Sequence, residues 1–107
     1  MSHLSTHVLD AVHGTPAHGI AVLLADIDGM PIASGATDSD GRIADVAGEL
    51  GAGTYRIRFD TGAWFAEHDV EGFYPEITIC FAITDPTRHH HVPVLLSPFA
   101  YSTYRGS

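Results

Sequence analysis

The chain has 107 residues, 45% of them hydrophobic and 17% charged, with a formal net charge of −8. That length and apolar share fit one folded domain over residues 1–107, whose core needs no disulfide or metal staple, and they exclude a disordered chain. Five arginines, no lysine and 13 acidic residues leave no basic face for nucleic acid or an anionic membrane, so a small ligand or another protein is the expected partner.

The first run with strand character is Ser5 to Asp10. No basic region followed by an apolar stretch occurs between Met1 and Asp10, so no signal peptide is expected. Ile20 to Ile27 reads as the second strand, and Asp28 with Gly29 as the hairpin turn into Met30 to Thr37, because both residues tolerate a positive φ. The longest apolar run, Ile20 to Ala25, falls far short of the roughly 20 residues of a membrane helix. Asp38, Ser39, Asp40 and Gly41 form another turn, after which Arg42 to Val46 reads as a short strand and Gly48 to Gly53 as loop.

Tyr55, Ile57 and Phe59 alternate with Arg56, Arg58 and Asp60, the period-two pattern of a strand with one buried and one wet face. On this reading Arg56 and Arg58 are solvated. Thr61 is expected to cap a helix of one or two turns through His68, with Trp64 and His68 on one face and Trp64 and Phe65 in the core. In Glu76 to Thr84, Ile77, Ile79, Phe81 and Ile83 share an apolar face, and Asp85 and Pro86 then turn the chain. Cys80 lies within this run and reads as a buried small residue rather than a nucleophile. As the only cysteine it can form no internal disulfide, so a reducing compartment or indifference to redox is expected, and with no signal peptide or membrane span in view a cytoplasmic location.

The segment Arg88 to Ser107 carries a histidine triplet, an apolar run and a polar tail. Val92, Val94 and Leu96 fall on one strand face, Pro93 and Leu95 on the other, so both are apolar. Burial of both faces in an antiparallel protein calls for a cover on the outside, and a second subunit is the economical one. The pattern predicts a homo-oligomer with an interface over this strand.

Eight histidines are present, and His89, His90 and His91 are consecutive. On a strand His89 and His91 point one way and His90 the other, and no spaced cysteines or second close histidine pair complete a zinc set. Asp38, Asp40 and Gly41 resemble part of a calcium loop, but Ala36 and Ala47 stand where its first and last ligands belong. No dedicated metal site is expected. Neither a glycine-rich phosphate loop nor a nucleophile elbow appears. What remains is a set of costly, chemically useful side chains: His7, Arg42, His91, Arg105 and Ser107. On spacing alone these read first as polar groups satisfied within the fold.

Leu4, Ser5, Thr6, His7, Val8, Leu9 and Asp10 at one end, and Tyr104, Arg105, Gly106 and Ser107 at the other, resemble the paired signatures of transthyretin-related 5-hydroxyisourate hydrolases. Between them Asp40, Gly41 and Arg42, then His91, Val92 and Pro93, and Leu95 to Phe99 also match, so the likeness spans essentially the whole chain. The resemblance implies an all-β, transthyretin-like (prealbumin-like) β-sandwich of two antiparallel sheets with seven or eight strands and one short helix. It further implies a homotetramer, a dimer of dimers with active sites in clefts where the dimers meet.

The implied reaction opens the six-membered ring of 5-hydroxyisourate to give 2-oxo-4-hydroxy-4-carboxy-5-ureidoimidazoline, in urate catabolism and without a cofactor. Carried over by position, the catalytic set is His7, Arg42, His91 and Ser107, and substrate binding falls to His7, Arg42, Tyr104, Arg105 and Ser107. Such chemistry needs a base near neutral pKa and a cation for developing negative charge. Either His7 or His91 can serve as the base. Arg42 suits the oxygens of a planar ring, and Ser107, through its hydroxyl or a terminal carboxylate, would orient water or substrate. His89 and His90 are expected at the surface or behind the site, and His3, His13, His18 and His68 receive no role. Two rivals are a transthyretin-like carrier of a small ligand and a structural sandwich module, for which Ser107 would be expendable.

Overall fold

Alternating apolar positions bring two sheets face to face in the computed structural model, which describes residues 3–107. Met1 and Ser2, part of the N-terminus read above as lacking a signal peptide, lie outside the described residues. The strands are β1 (Leu4–Asp10), β2 (Thr15–Pro16), β3 (Ala21–Asp26), β4 (Pro31–Ala36), β5 (Arg42–Ile43), β6 (Gly53–Phe59), β7 (Ile77–Ile83), β8 (His90–Leu96) and β9 (Tyr101–Thr103). One helix, α1 (Thr61–Glu67), joins β6 to β7. The first sheet runs β2-β1-β8-β9 with β5 also on β1, and the second runs β4-β3-β6-β7.

Leu4 and Val8 from β1, Val22 and Leu24 from β3, Ile57 and Phe59 from β6, and Val92, Val94 and Leu96 from β8 fill the space between the sheets. Each such side chain contributes about 1.5–3 kcal/mol when fully buried. Thr6 is also buried, and its hydroxyl donates to the Val92 carbonyl at 2.6 Å, so the core carries no orphaned polar group there. Among the described residues no helix is long and apolar enough to cross a membrane.

The β3–β4 hairpin turns where expected, with Gly29 at φ 84°, but Asp28 does not take the positive φ; instead the Asp26 carboxylate accepts from the amides of Asp28 and Met30 at 2.9 Å each. Several details differ from the expectations above. The first sheet is mixed: β1 and β8 run parallel, from Leu4 opposite His90 to Asp10 opposite Leu96. No tight turn joins two strands from opposite ends of a chain, so nothing local imposes the antiparallel sense. Thr61 is not the helix cap; Asp60 occupies that position, while the buried Thr61 hydroxyl donates to the Tyr74 carbonyl at 3.3 Å. The strand expected over Arg42 to Val46 ends at Ile43.

Cys80 is exposed rather than buried. It alternates with Ile79 and Phe81, which turn toward the core, and so shares the outer face of β7 with Thr78 and Ala82. Arg56 is half-buried, and its Nη1 donates to the Ile27 carbonyl at 2.6 Å, so it closes the β3–β4 turn instead of being merely solvated. On β8, Pro93 is already buried within one chain, which narrows the uncovered apolar surface of that strand to Leu95, 37% exposed.

Candidate active site

The outer face of the first sheet carries the predicted polar set. His7 on β1 pairs with Arg42 on β5 across an antiparallel ladder and with Pro93 on β8 across the parallel one. Directly opposed residues share a face with Cβ atoms about 5 Å apart, so Arg42, His7 and Pro93 form one transverse row. Two residues along, Ser5 on β1 is opposite His91 on β8, and Gly106 bridges to His91 from the other side. This second row lies about 7 Å from the first. His7, Arg42 and His91 therefore meet on one surface.

Each side chain is held by its local sequence. The Asp38 carboxylate accepts from the amides of Asp40 and Arg42 at 2.9 Å each, and the Asp38 amide donates to the Arg42 carbonyl at 2.9 Å. These bonds, that from the Arg42 amide foremost, hold the Asp38 carboxyl below its usual pKa. Gly41 then adopts φ 73°, and its carbonyl accepts from the Val8 amide at 2.8 Å. A Cβ at Gly41 would collide with the Val8 carbonyl oxygen and come within 3.2 Å of the Ala17 amide nitrogen. Glycine is thus required both for the turn and for the close approach that seats Arg42 beside His7.

His91 is fixed from two sides. Ser5 Oγ lies 2.7 Å from its Nδ1 and also 2.8 Å from Nε2 of His89. On the other flank the Gly106 amide donates to the His91 carbonyl at 2.9 Å. Burial lowers the His91 pKa from its ordinary 6.5, and the Arg42 cation lowers it further, with smaller contributions in the same sense from His89 and His7. Hydrogen bonding to the Ser5 backbone acts against these. The result is a neutral imidazole at neutral pH, the protonation state a general base requires.

The tail beyond β9 continues in the same antiparallel register as the Val94–Thr103 pair, which brings Gly106 opposite His91. Tyr104 and Arg105 line a cavity of about 200 Å³ together with His90, His91, Ile79 and Phe81. Ser107 follows Gly106 and is exposed; among the described residues no hydrogen bond joins it to His7, Arg42 or His91. Strand alternation separates the histidine triplet as expected, since His89 and His91 both reach Ser5. Of the two places expected for His90, the surface is excluded: it is 7% exposed, turned inward behind His91, with its Nδ1 donating to the Arg88 carbonyl at 2.9 Å.

Ser5 and Gly106 contact His91, and His89 reaches it through the Ser5 hydroxyl; none of the three belongs to the expected site set. The signal for two of them was present, because Ser5 is two residues from His7 and His89 two from His91, hence on the same strand face. A larger cavity, about 510 Å³, opens at the far end of β1 beside α1. Of its titratable lining His13 is held by Asp10 at 2.8 Å and His68 by the Trp64 carbonyl at 2.7 Å, which leaves His18 as the one other imidazole there, without an arginine beside it. Among the described residues no group of three or more His, Cys, Asp or Glu is arranged to hold a metal ion.

The surface thus offers two imidazoles, one of them held neutral, beside a guanidinium, which suits attack of water on a polarised carbonyl. Comparison with known proteins agrees with that chemistry. A mouse 5-hydroxyisourate hydrolase is 40% identical over 113 aligned positions, covering 99% of this chain and 96% of the mouse protein. The structure of Klebsiella pneumoniae 5-hydroxyisourate hydrolase superposes with a TM-score of 0.92 at 44% identity, covering 100% of this chain and 94% of that one. Sea bream transthyretin in complex with thyroxine superposes with a TM-score of 0.90 at 35% identity, over 96% of this chain and 93% of that one. The fold is transthyretin-like, and residues 4–106 match a family description directly: the chain belongs to the HIUase/Transthyretin family.

Proposed function

We propose that this protein hydrolyses 5-hydroxyisourate to 2-oxo-4-hydroxy-4-carboxy-5-ureidoimidazoline, as a step of urate catabolism in the cytoplasm. The observation that carries the reading is the pairing of His7 with Arg42 on the same sheet face as the depressed imidazole of His91. His91 acts as the base: Ser5 occupies its Nδ1, which leaves Nε2 to take a proton from the attacking water. Arg42 binds substrate oxygens through its planar fork and stabilises the negative charge that grows on the carbonyl oxygen. His7, beside Arg42, orients the ring and supplies the second imidazole. Tyr104, Arg105 and Ser107 wall the cleft and contact substrate.

The working assembly is a homotetramer in which two dimers meet over this sheet face. Exposed Leu95 and Phe99, at 37% and 64%, provide apolar surface for that contact beside the polar rows. A carrier reading has one point in its favour, the likeness to the thyroxine-bound transthyretin. A channel for an apolar ligand gains nothing from desolvating two histidines and an arginine, whereas hydrolysis uses all of them. Its test is to generate 5-hydroxyisourate with urate oxidase in the presence of the protein and follow its decay by absorbance and circular dichroism. Faster decay to an optically active product is expected; an unchanged rate sinks the hydrolytic reading.

A further inference from the structure

We propose that Ser5 and His89 are positioning residues for hydrolysis: bridged by the Ser5 hydroxyl, they select the His91 tautomer whose Nε2 is bare and faces the substrate. The inference rests on the hydrolytic reading above and assigns a role to two residues outside the set His7, Arg42, His91 and Ser107. Ser5 is 9% exposed and sits between the two rings, 2.7 Å from His91 Nδ1 and 2.8 Å from His89 Nε2. Both contacts are short, and they join residues 84 and 86 positions apart in sequence.

A hydroxyl carries one proton and accepts through its lone pairs, so it can donate to only one of the two rings. If Ser5 donates to His91 Nδ1, the His91 proton must reside on Nε2, and the nitrogen facing the cleft is no longer a base. If Ser5 donates to His89 Nε2, it accepts from His91 Nδ1–H, and Nε2 of His91 is left free. The second polarity is the productive one, and His89 makes it possible by offering a bare nitrogen at the outer end. A ring that donates from Nδ1 gains protonated character; one that accepts there loses it. The chain His91 to Ser5 to His89 orients the base as the third member of a hydrolytic triad does, with a neutral acceptor in place of a carboxylate.

The test combines a measurement on the resting protein with kinetics on four variants. Two-bond proton–nitrogen NMR of the full chain at neutral pH should show His91 protonated at Nδ1 and bare at Nε2. Ser5→Ala and His89→Ala should each lower kcat by about tenfold or more while KM stays within a few-fold, since neither residue touches substrate. Ser5→Thr, which keeps the hydroxyl, and His89→Gln, which keeps an acceptor, should recover most of the loss, and Ser5→Ala should convert part of His91 to the other tautomer. Wild-type His91 protonated at Nε2, or alanine variants with unchanged kcat, overturns the proposal, as does failure of Ser5→Thr and His89→Gln to recover the rate. A wild-type protein with no hydrolysis but the expected tautomer defeats the hydrolytic reading instead, and the two failures are told apart.

Discussion

Gly106 lies flat against the imidazole of His91: its amide donates to the His91 carbonyl at 2.9 Å, and a Cβ placed on it would run into the ring at Cδ2 and come within 3.0 Å of Cγ. The tail is therefore part of the packing of the proposed base, and a methyl group there must displace either the ring or the tail. Gly106→Ala should keep the fold, because the contact is confined to the sheet face, yet lower kcat by about 100-fold through misplacement of His91. Matching far-ultraviolet spectra with a lost rate is the expected pair of results; a rate near wild type would detach the tail from the chemistry.

The depressed His91 pKa fixes the sense of the pH profile. Burial and then Arg42 disfavour the imidazolium, so the base form persists below pH 6.5, and the acid limb of kcat/KM should fall with an apparent pKa below that value. The groups facing His91 are Ser5 and His7 on β1, Arg42 on β5 and His89 before β8. Arg42→Gln removes the cation, so what activity survives should show its acid limb shifted upward, toward 6.5. A limb that stays in place or moves down would separate Arg42 from His91. Rates across pH 4–8 on both proteins decide it.

Local chemistry made much of this fold legible and left its closures hidden. Gly29 announces the β3–β4 hairpin because the turn itself demands a positive φ there, and alternation correctly parts His91 from His90. The parallel contact of β1 with β8 has no local signature, so the meeting of Ser5 with His89 and His91 could not be read from spacing. Cys80 misleads because its neighbours on both sides are apolar, and composition cannot say which of two strand faces turns outward. Gly106 lies inside a recognised ending, yet its reason is a tertiary approach to a ring 15 residues away.

Removal of Tyr104 to Ser107 tests the tail as a unit. These residues follow β9 and contribute no side chain to the buried core, so the truncated chain should fold with a melting temperature within a few degrees of wild type. Loss of the Gly106 bond to His91 and of the cavity wall formed by Tyr104 and Arg105 should abolish hydrolysis. An active truncated protein would mean that the site is complete without the tail and would favour the structural-module alternative for Ser107.

The turn that presents Arg42 separates stability from catalysis in a different way. Gly41→Ala meets two costs at once, a positive φ and a collision with the Val8 carbonyl oxygen, because the turn is pressed against the middle of β1. Together they should destabilise the protein by roughly 2–4 kcal/mol, read as a lowered denaturant midpoint. Asp38→Ala instead removes only the acceptor for the Asp40 and Arg42 amides at an exposed position. It should leave the denaturant midpoint little changed but loosen the cross-strand pairing of Arg42 with His7, so that KM rises more than that midpoint falls. Equal and small effects of Asp38→Ala on both measurements would show that β5 positions Arg42 without help from the turn, and that the Gly41 contact with β1 alone fixes the guanidinium over the site.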